Sequence, residues 1–129
     1  MLVKLRYSSY YGSMTLTAKT ASDTDRDPPH PDPAEVTLQQ ILEALVDPVR
    51  RGIVAQLAAV EGEHVACGGF GLTVSNSTAT HHFRVLREAG LIRQSYAGTS
   101  KMNVLRRAEV DQAFPGLLEA LLGAERAGA

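Results

Sequence analysis

From Thr37 onward the apolar positions fall in a helical rhythm, which gives way to a strand-like one after Gly90 and then returns. Leu38, Ile41, Leu42 and Leu45 follow i, i+3, i+4, i+7 spacing and predict an amphipathic helix with Thr37 as its cap. Asp47-Pro48 ends that helix and opens the next, because Asp caps well and Pro fits a first helical turn. Val49, Ile53, Val54, Leu57 and Ala58 form the next apolar stripe. Glu61–Leu72 is the least regular part of the core. Gly68, Gly69 and Gly71 each cost a helix up to about 1 kcal/mol relative to Ala, so a short or distorted positioning helix is expected, held by Val65, Phe70 and Leu72.

The stretch Thr73–Gly90 organises the rest. Ala79, Phe83 and Leu86 fall on one helical face, with His82 at its margin. Ser77, His81, Arg84 and Glu88 fall opposite, and Thr80 and Arg87 lie on the flank. Ser75 or Ser77 caps the start, and Gly90 suits the left-handed residue after a helix end. The polar face is rich in groups that donate to phosphate or read a base edge, where an ordinary solvated face carries more Glu and Lys. Extended runs over Leu91–Tyr96 and Ser100–Leu105 flank Ala97-Gly98-Thr99, a hairpin turn signal. Ala108–Gly123 forms a last helix on Val110, Phe114, Leu117, Leu118, Leu121 and Leu122, with Pro115 kinking or restarting it.

Composition narrows the class. Apolar residues make up 44% of the 129 positions, while aromatics are 5% and Trp is absent, so the core is aliphatic and helices are favoured over a β-sandwich. No run of 18 apolar residues predicts a membrane span, and the N-terminus lacks the long apolar stretch of a secretory signal. A single cysteine excludes an internal disulfide framework and fits the cytoplasm. Residues 1–19 admit three readings: a short strand, a loose arm, or sequence upstream of a natural start at Met14. Residues 20–35 hold four prolines and five acids and are expected to be an extended or disordered linker, with His30 inert. The expected organisation is a flexible arm and linker over 1–35, a winged domain over 36–123 and a frayed tail over 124–129.

The net charge of −1 is unevenly spread. Between Ser75 and Arg107 stand six basic residues and one acid, a net of +5, which makes this third the candidate DNA face. Arg50 and Arg51 open a helix, where they oppose its dipole; a solvated face or a phosphate contact would each account for them.

The segments Ala44–Leu57 (ALVDPVRRGIVAQL) and Val74–Ile92 (VSNSTATHHFRVLREAGLI), with the hairpin up to Leu105, resemble the arsenic-repressor (ArsR/SmtB-type) family of bacterial winged-helix regulators. The likeness covers most of Thr37–Leu122 and none of the first 35 residues. It implies a mainly α fold with a small β-hairpin, a dimeric winged helix-turn-helix. It also implies a homodimer bound to a pseudo-palindromic operator, usually as a repressor, which an inducer releases by favouring a conformer that fits the operator poorly.

This sequence departs from the metal-sensing members. Where those carry a pair of cysteines, His64 and Ala66 stand here, with Cys67 adjacent as the only cysteine. A soft-metal thiolate site needs two or three sulfurs, and the last helix offers Glu109, Asp111 and Glu119 but no His. No metal or other cofactor is therefore expected; His64 and Cys67 are the candidates for a metal shared across a dimer, Cys67 could instead be a redox thiol, and the reading preferred over both is a small buried Cys and a surface His.

The leading expectation is a sequence-specific regulator of transcription on double-stranded DNA. Asn76, Ser77, Thr78, Thr80, His81 and Arg84 would reach the major groove or its phosphates, and Arg93 and Lys101 on the wing would hold phosphates or the minor groove. Leu38, Leu42, Phe114, Leu117, Leu118 and Leu121 are the candidate dimer contacts, since two-fold symmetry matches two half-sites. The alternative is a winged helix used for protein–protein interaction without DNA. Catalysis is not expected: no nucleophile–base pair stands out, and GGFG lacks the Gly-Lys-Ser/Thr of a phosphate loop.

Overall fold

The structure is a computed structural model and describes residues 26–128. Its helices are α1 (Leu38–Leu45), α2 (Pro48–Ala59), α3 (Asn76–Glu88), α4 (Arg107–Ala113) and α5 (Leu117–Arg126). Strands β1 (Val65–Ala66), β2 (Ile92–Ala97) and β3 (Ser100–Leu105) form one antiparallel sheet in the order β1-β3-β2. This is a mainly helical winged helix-turn-helix. Ile41, Ile53, Val54, Leu57, Leu86, Leu91, Ile92 and Leu118 are its most deeply buried large aliphatics, so α1, α2, α3, the wing base and α5 share one core. Among the described residues no helix is long and apolar enough to cross a membrane.

The element boundaries have local causes. Thr37 and Gln40 form a reciprocal capping box at the start of α1. At the next boundary the Asp47 carboxylate accepts from the N–H groups of Val49 and Arg50, and Pro48 fills the first helical position. Burial pushes the Asp47 carboxyl up, but those two N–H donors and the charge of Arg50 outweigh it and hold the group below its ordinary value.

Arg50 and Arg51 turn back from α2 onto the end of α1. Arg50 donates to the carbonyl of Ala44 at 2.6 Å, and Arg51 donates to those of Leu45 and Val46 at 2.9 and 3.1 Å. These are carbonyls that the end of a helix leaves without partners. Arg51 also pairs with Glu125 at 2.7 Å, which ties the end of α1 to α5. The phosphate-contact reading of Arg50 and Arg51 is thereby corrected: both guanidinium groups are engaged in joining helices.

Helix α3 ends in a Schellman turn. The N–H of Leu91 donates to Leu86 and that of Gly90 to Arg87, with Gly90 at φ 77°. A Cβ on Gly90 would stand 2.7 Å from Val36 Cγ2, so the chain ahead of α1 packs directly on this turn. The wing turns at Gly98, whose φ of 63° is one that L residues rarely adopt, and Ala97 faces Ser100 across the hairpin.

The region between α2 and α3 differs from expectation. In place of a positioning α-helix, Val65–Ala66 pairs with Asn103 and Met102 of β3, and Cys67–Phe70 makes a single 3₁₀ turn. The glycines account for the loss of helix, and Phe70 still anchors the turn against Phe83 of α3 at 5.3 Å between ring centroids. At the other end, Pro115 and Gly116 (φ 84°) split the expected last helix into α4 and α5. Helix α5 then runs on to Arg126, beyond the stop expected at Gly123.

The acidic, proline-rich stretch is tied down where it is described. The Gln94 N–H donates to His30 Nε2 at 2.9 Å and the Tyr96 N–H to Asp27 at 2.8 Å, while Arg26 donates to the Gly98 carbonyl and lies over the Tyr96 ring. Residues 26–31 thus form a strap along the free edge of β2 and satisfy donors that an edge strand would leave open. His30, expected to be inert, is one of its fasteners. The expectations for residues 1–25, including Met14, lie outside the described residues.

Candidate nucleic-acid interface

Helix α3 presents Asn76, Ser77, Thr78, Thr80, His81 and Arg84 to solvent on one side, while Phe83 and Leu86 face the core. Its start is a small cluster of hydroxyls. Ser75 Oγ accepts from the N–H of Thr78 at 3.2 Å and lies 3.0 Å from the Thr78 hydroxyl. The Thr80 hydroxyl donates to the Asn76 carbonyl at 2.9 Å, which leaves its oxygen free to accept. Arg84 is exposed and has no ion pair or hydrogen bond within the described chain.

The adjacent His81 and His82 diverge, as their helical spacing requires. His81 is exposed, whereas His82 is buried and its Nδ1 lies 3.0 Å from an Arg50 guanidinium nitrogen. Arginine can only donate, so Nδ1 is the acceptor in that contact.

Over 84 residues the chain is 37% identical to YceK of Bacillus subtilis (strain 168), described as an uncharacterized HTH-type transcriptional regulator; the match spans 64% of this chain and 83% of YceK. The chain belongs to the HTH-type transcriptional regulators. Its fold is that of the ArsR family: the crystal structure of the ArsR family transcriptional regulator RHA00566 superposes with a TM-score of 0.53 at 20% identity, covering 70% of this chain and 92% of that one. No protein-family model matches. The HTH-type transcriptional regulators are not a class of enzymes.

In this regulator the wing and its surroundings treat the basic residues differently from one another. Lys101 lies half-buried with its ammonium 5.8 Å from the Tyr96 ring centroid and forms no ion pair among the described residues. Arg93, expected to contact DNA, turns to Glu109 on α4 at 3.5 Å, and its side chain is only 18% exposed. Arg106 is buried and grips the same carboxylate, and Arg107 pairs with Asp111 and Glu119. Of the basic third read from the sequence, Arg84 and Lys101 are left clear of carboxylates on the outer surface. Three of the six cations of that segment, Arg93, Arg106 and Arg107, are held in ion pairs by Glu109 and Asp111 on α4 and Glu119 on α5.

Burial pushes the Glu109 carboxyl up, yet the hydrogen bonds and charge of Arg106 and the charge of Arg93 outweigh it and hold the group below the usual carboxylate range. Glu109 therefore fastens the wing to α4 and was not anticipated in that role.

The sequence reading also missed a buried polar chain under α3. Arg87 donates to Gln94 Oε1 at 2.7 Å, Gln94 donates to Asn103 Oδ1 at 2.9 Å, and Asn103 donates to the Val65 carbonyl at 3.1 Å and to Cys67 Sγ at 3.3 Å. Gln94 and Asn103 are 1% and 0% exposed, so this is an internal bolt between α3, the wing and β1. A signal for it existed: Gln94 shares strand parity with inward-facing Ile92, and Asn103 with Leu105.

The metal candidates do not converge. Among the described residues no three His, Cys, Asp or Glu side chains are grouped for a metal; His64 is exposed and Cys67 accepts from Asn103. Of the dimer candidates, Leu118 is corrected outright, being 0% exposed within its own core. Phe114, Leu117 and Leu121 are half-buried against that core. Leu38 and Leu42 are 46% and 47% exposed and align with Val46 along the outer side of α1.

Proposed function

We propose that this regulator binds DNA through α3 and represses transcription as a homodimer on a pseudo-palindromic operator, in the cytoplasm of a bacterial cell. The observation that carries this is the outer face of α3, where Asn76, Ser77, Thr78, Thr80 and His81 surround a guanidinium, Arg84, with no partner among the described residues. A row of this chemistry on the second element of a helix-turn-helix suits major-groove readout, with Arg84 placed for bidentate contact to guanine. Lys101 on the wing serves as a phosphate contact. The exposed α1 ridge of Leu38 and Leu42, together with Phe114, Leu117 and Leu121 near α5, supports pairing of two copies, which places two recognition helices on one duplex. An inducer acts by favouring the conformer that spaces those helices wrongly.

The test is binding to DNA from upstream of its own gene across a salt series. Arg84→Ala is expected to cost roughly 1–3 kcal/mol and to blur base preference, whereas Lys101→Ala weakens all sequences evenly and flattens the salt slope by about 1. Unchanged operator binding in both variants refutes the assignment.

A second reading, a winged helix that binds another protein, draws support from the internal use of Arg93, Arg106 and Arg107. Affinity that barely changes with salt would favour it, because counterion release makes DNA binding fall steeply.

A further inference from the structure

A groove of about 350 Å³ opens between α3, the 3₁₀ turn, the wing and the strap. That is within the size range of small-molecule sites, which combine apolar walls with a few converging polar groups. Ala79, Phe83 and Pro28 supply apolar wall, and Arg84, Arg87 and Lys101 supply three cations. Among the described residues no Asp or Glu lines it, in a chain whose net charge is −1.

Arg87 makes the groove more than a concave surface. It is 9% exposed, its Nε is buried without a hydrogen-bond partner, and Gln94 is a neutral acceptor for one of its five N–H groups. It has no carboxylate partner among the described residues, although Arg51, Arg93, Arg106 and Arg107 all do. A buried cation without a counter-charge is costly, and the cost is relieved by an anion brought from outside. Arg84 is exposed and Lys101 half-buried, where a duplex phosphate would meet them, whereas Arg87 is buried and meets the outside only through the groove it lines.

We propose that this groove binds a small organic anion, a carboxylate on an apolar body, and that its occupancy excludes DNA. The carboxylate bridges Arg87 and Arg84, and the body lies against Phe83 and Ala79. The exclusion rests on the DNA-binding reading of α3. Asn76, Thr80 and Arg84 line the groove and also belong to the outer face of the helix, so an anion there neutralises and covers the groups DNA requires. By linkage, DNA weakens the anion by the same factor.

The experiment titrates the full ¹⁵N-labelled chain, without DNA, with sodium benzoate and sodium hexanoate at constant ionic strength. Benzamide and hexanamide are the uncharged matches. At least one carboxylate is expected to give saturable shifts at Arg87 Nε–H, the Gln94 side-chain amide and the Thr80 and Arg84 backbone amides. The amides give none, and Arg87→Met abolishes the effect. Should Arg87→Met fail to fold, Lys101→Met is expected to weaken carboxylate binding several-fold.

In the second arm, carboxylate at about ten times its own dissociation constant raises the operator dissociation constant about tenfold, and the rise continues in proportion to carboxylate concentration, as competition for one face requires. No saturable shift from either carboxylate, equal shifts from the amides, or binding unaffected by the substitutions overturns the site. Binding at the groove with operator affinity unchanged overturns the exclusion. A chain that binds no operator at all fails the DNA reading, and the titration still decides the site.

Discussion

Glu109→Gln removes a carboxylate that Arg106 holds through Nε and a terminal nitrogen at 2.9 Å each, with Arg93 at 3.5 Å on its other side. The Arg106 side chain is 1% exposed and that of Glu109 28%, so the variant leaves a guanidinium charge inside with its main counter-charge gone. Removing one partner of a buried pair costs roughly 3–5 kcal/mol; partial solvent access to Glu109 and the oxygen that Gln retains bring the expectation to about 2–3 kcal/mol. For a domain of this size that corresponds to a fall in Tm on the order of 10 °C.

The variant also predicts a pH signature. The folded-state Glu109 carboxyl is held below its ordinary value, so its contribution is fully present above the unfolded value near about 4.3. That contribution fades as pH falls through the lower folded-state value. Urea unfolding between neutral pH and about pH 3 should therefore show a steeper acid loss in the unsubstituted chain than in Glu109→Gln, with the two curves converging at the acid end. A loss under about 0.5 kcal/mol at neutral pH, or parallel acid limbs, would refute the reasoning.

Other substitutions probe separate joints. Gly90→Ala forces a left-handed backbone onto an L residue and drives its Cβ into Val36, so a loss of about 1–3 kcal/mol or more is expected in thermal unfolding. His30→Leu leaves the buried Gln94 N–H without its acceptor; about 1–3 kcal/mol is lost, and amide exchange at Gln94 and Tyr96 quickens as the strap lifts. Leu42→Glu puts charge on the exposed ridge of α1, and sedimentation should show the proposed dimer dissociating at concentrations where the unsubstituted chain stays paired.

What could be read without coordinates had its cause within a few residues. The Thr37 and Ser75 caps, the Asp47-Pro48 junction, the Gly90 stop and the Gly98 hairpin all follow from backbone groups and side chains that are neighbours in the chain. So does the outer row of α3, because helical period alone separates Arg84 from Phe83 and Leu86.

The fate of each charge was decided elsewhere. Arg84, Arg87, Arg93 and Arg106 look alike in a sequence, yet one faces solvent, one lies over Gln94 beneath a groove, and two close on Glu109. Glu109 is only three residues from Arg106, but Arg93 meets it from another element, and only folding likewise brings together β1 and β3, Arg51 and Glu125, and His30 and the edge of β2. Sequence determined the capped helices, the wing turn and the polar row of α3; tertiary structure chose which guanidinium groups were left for other molecules, because contacts between elements depend on distances in space that local pattern does not carry.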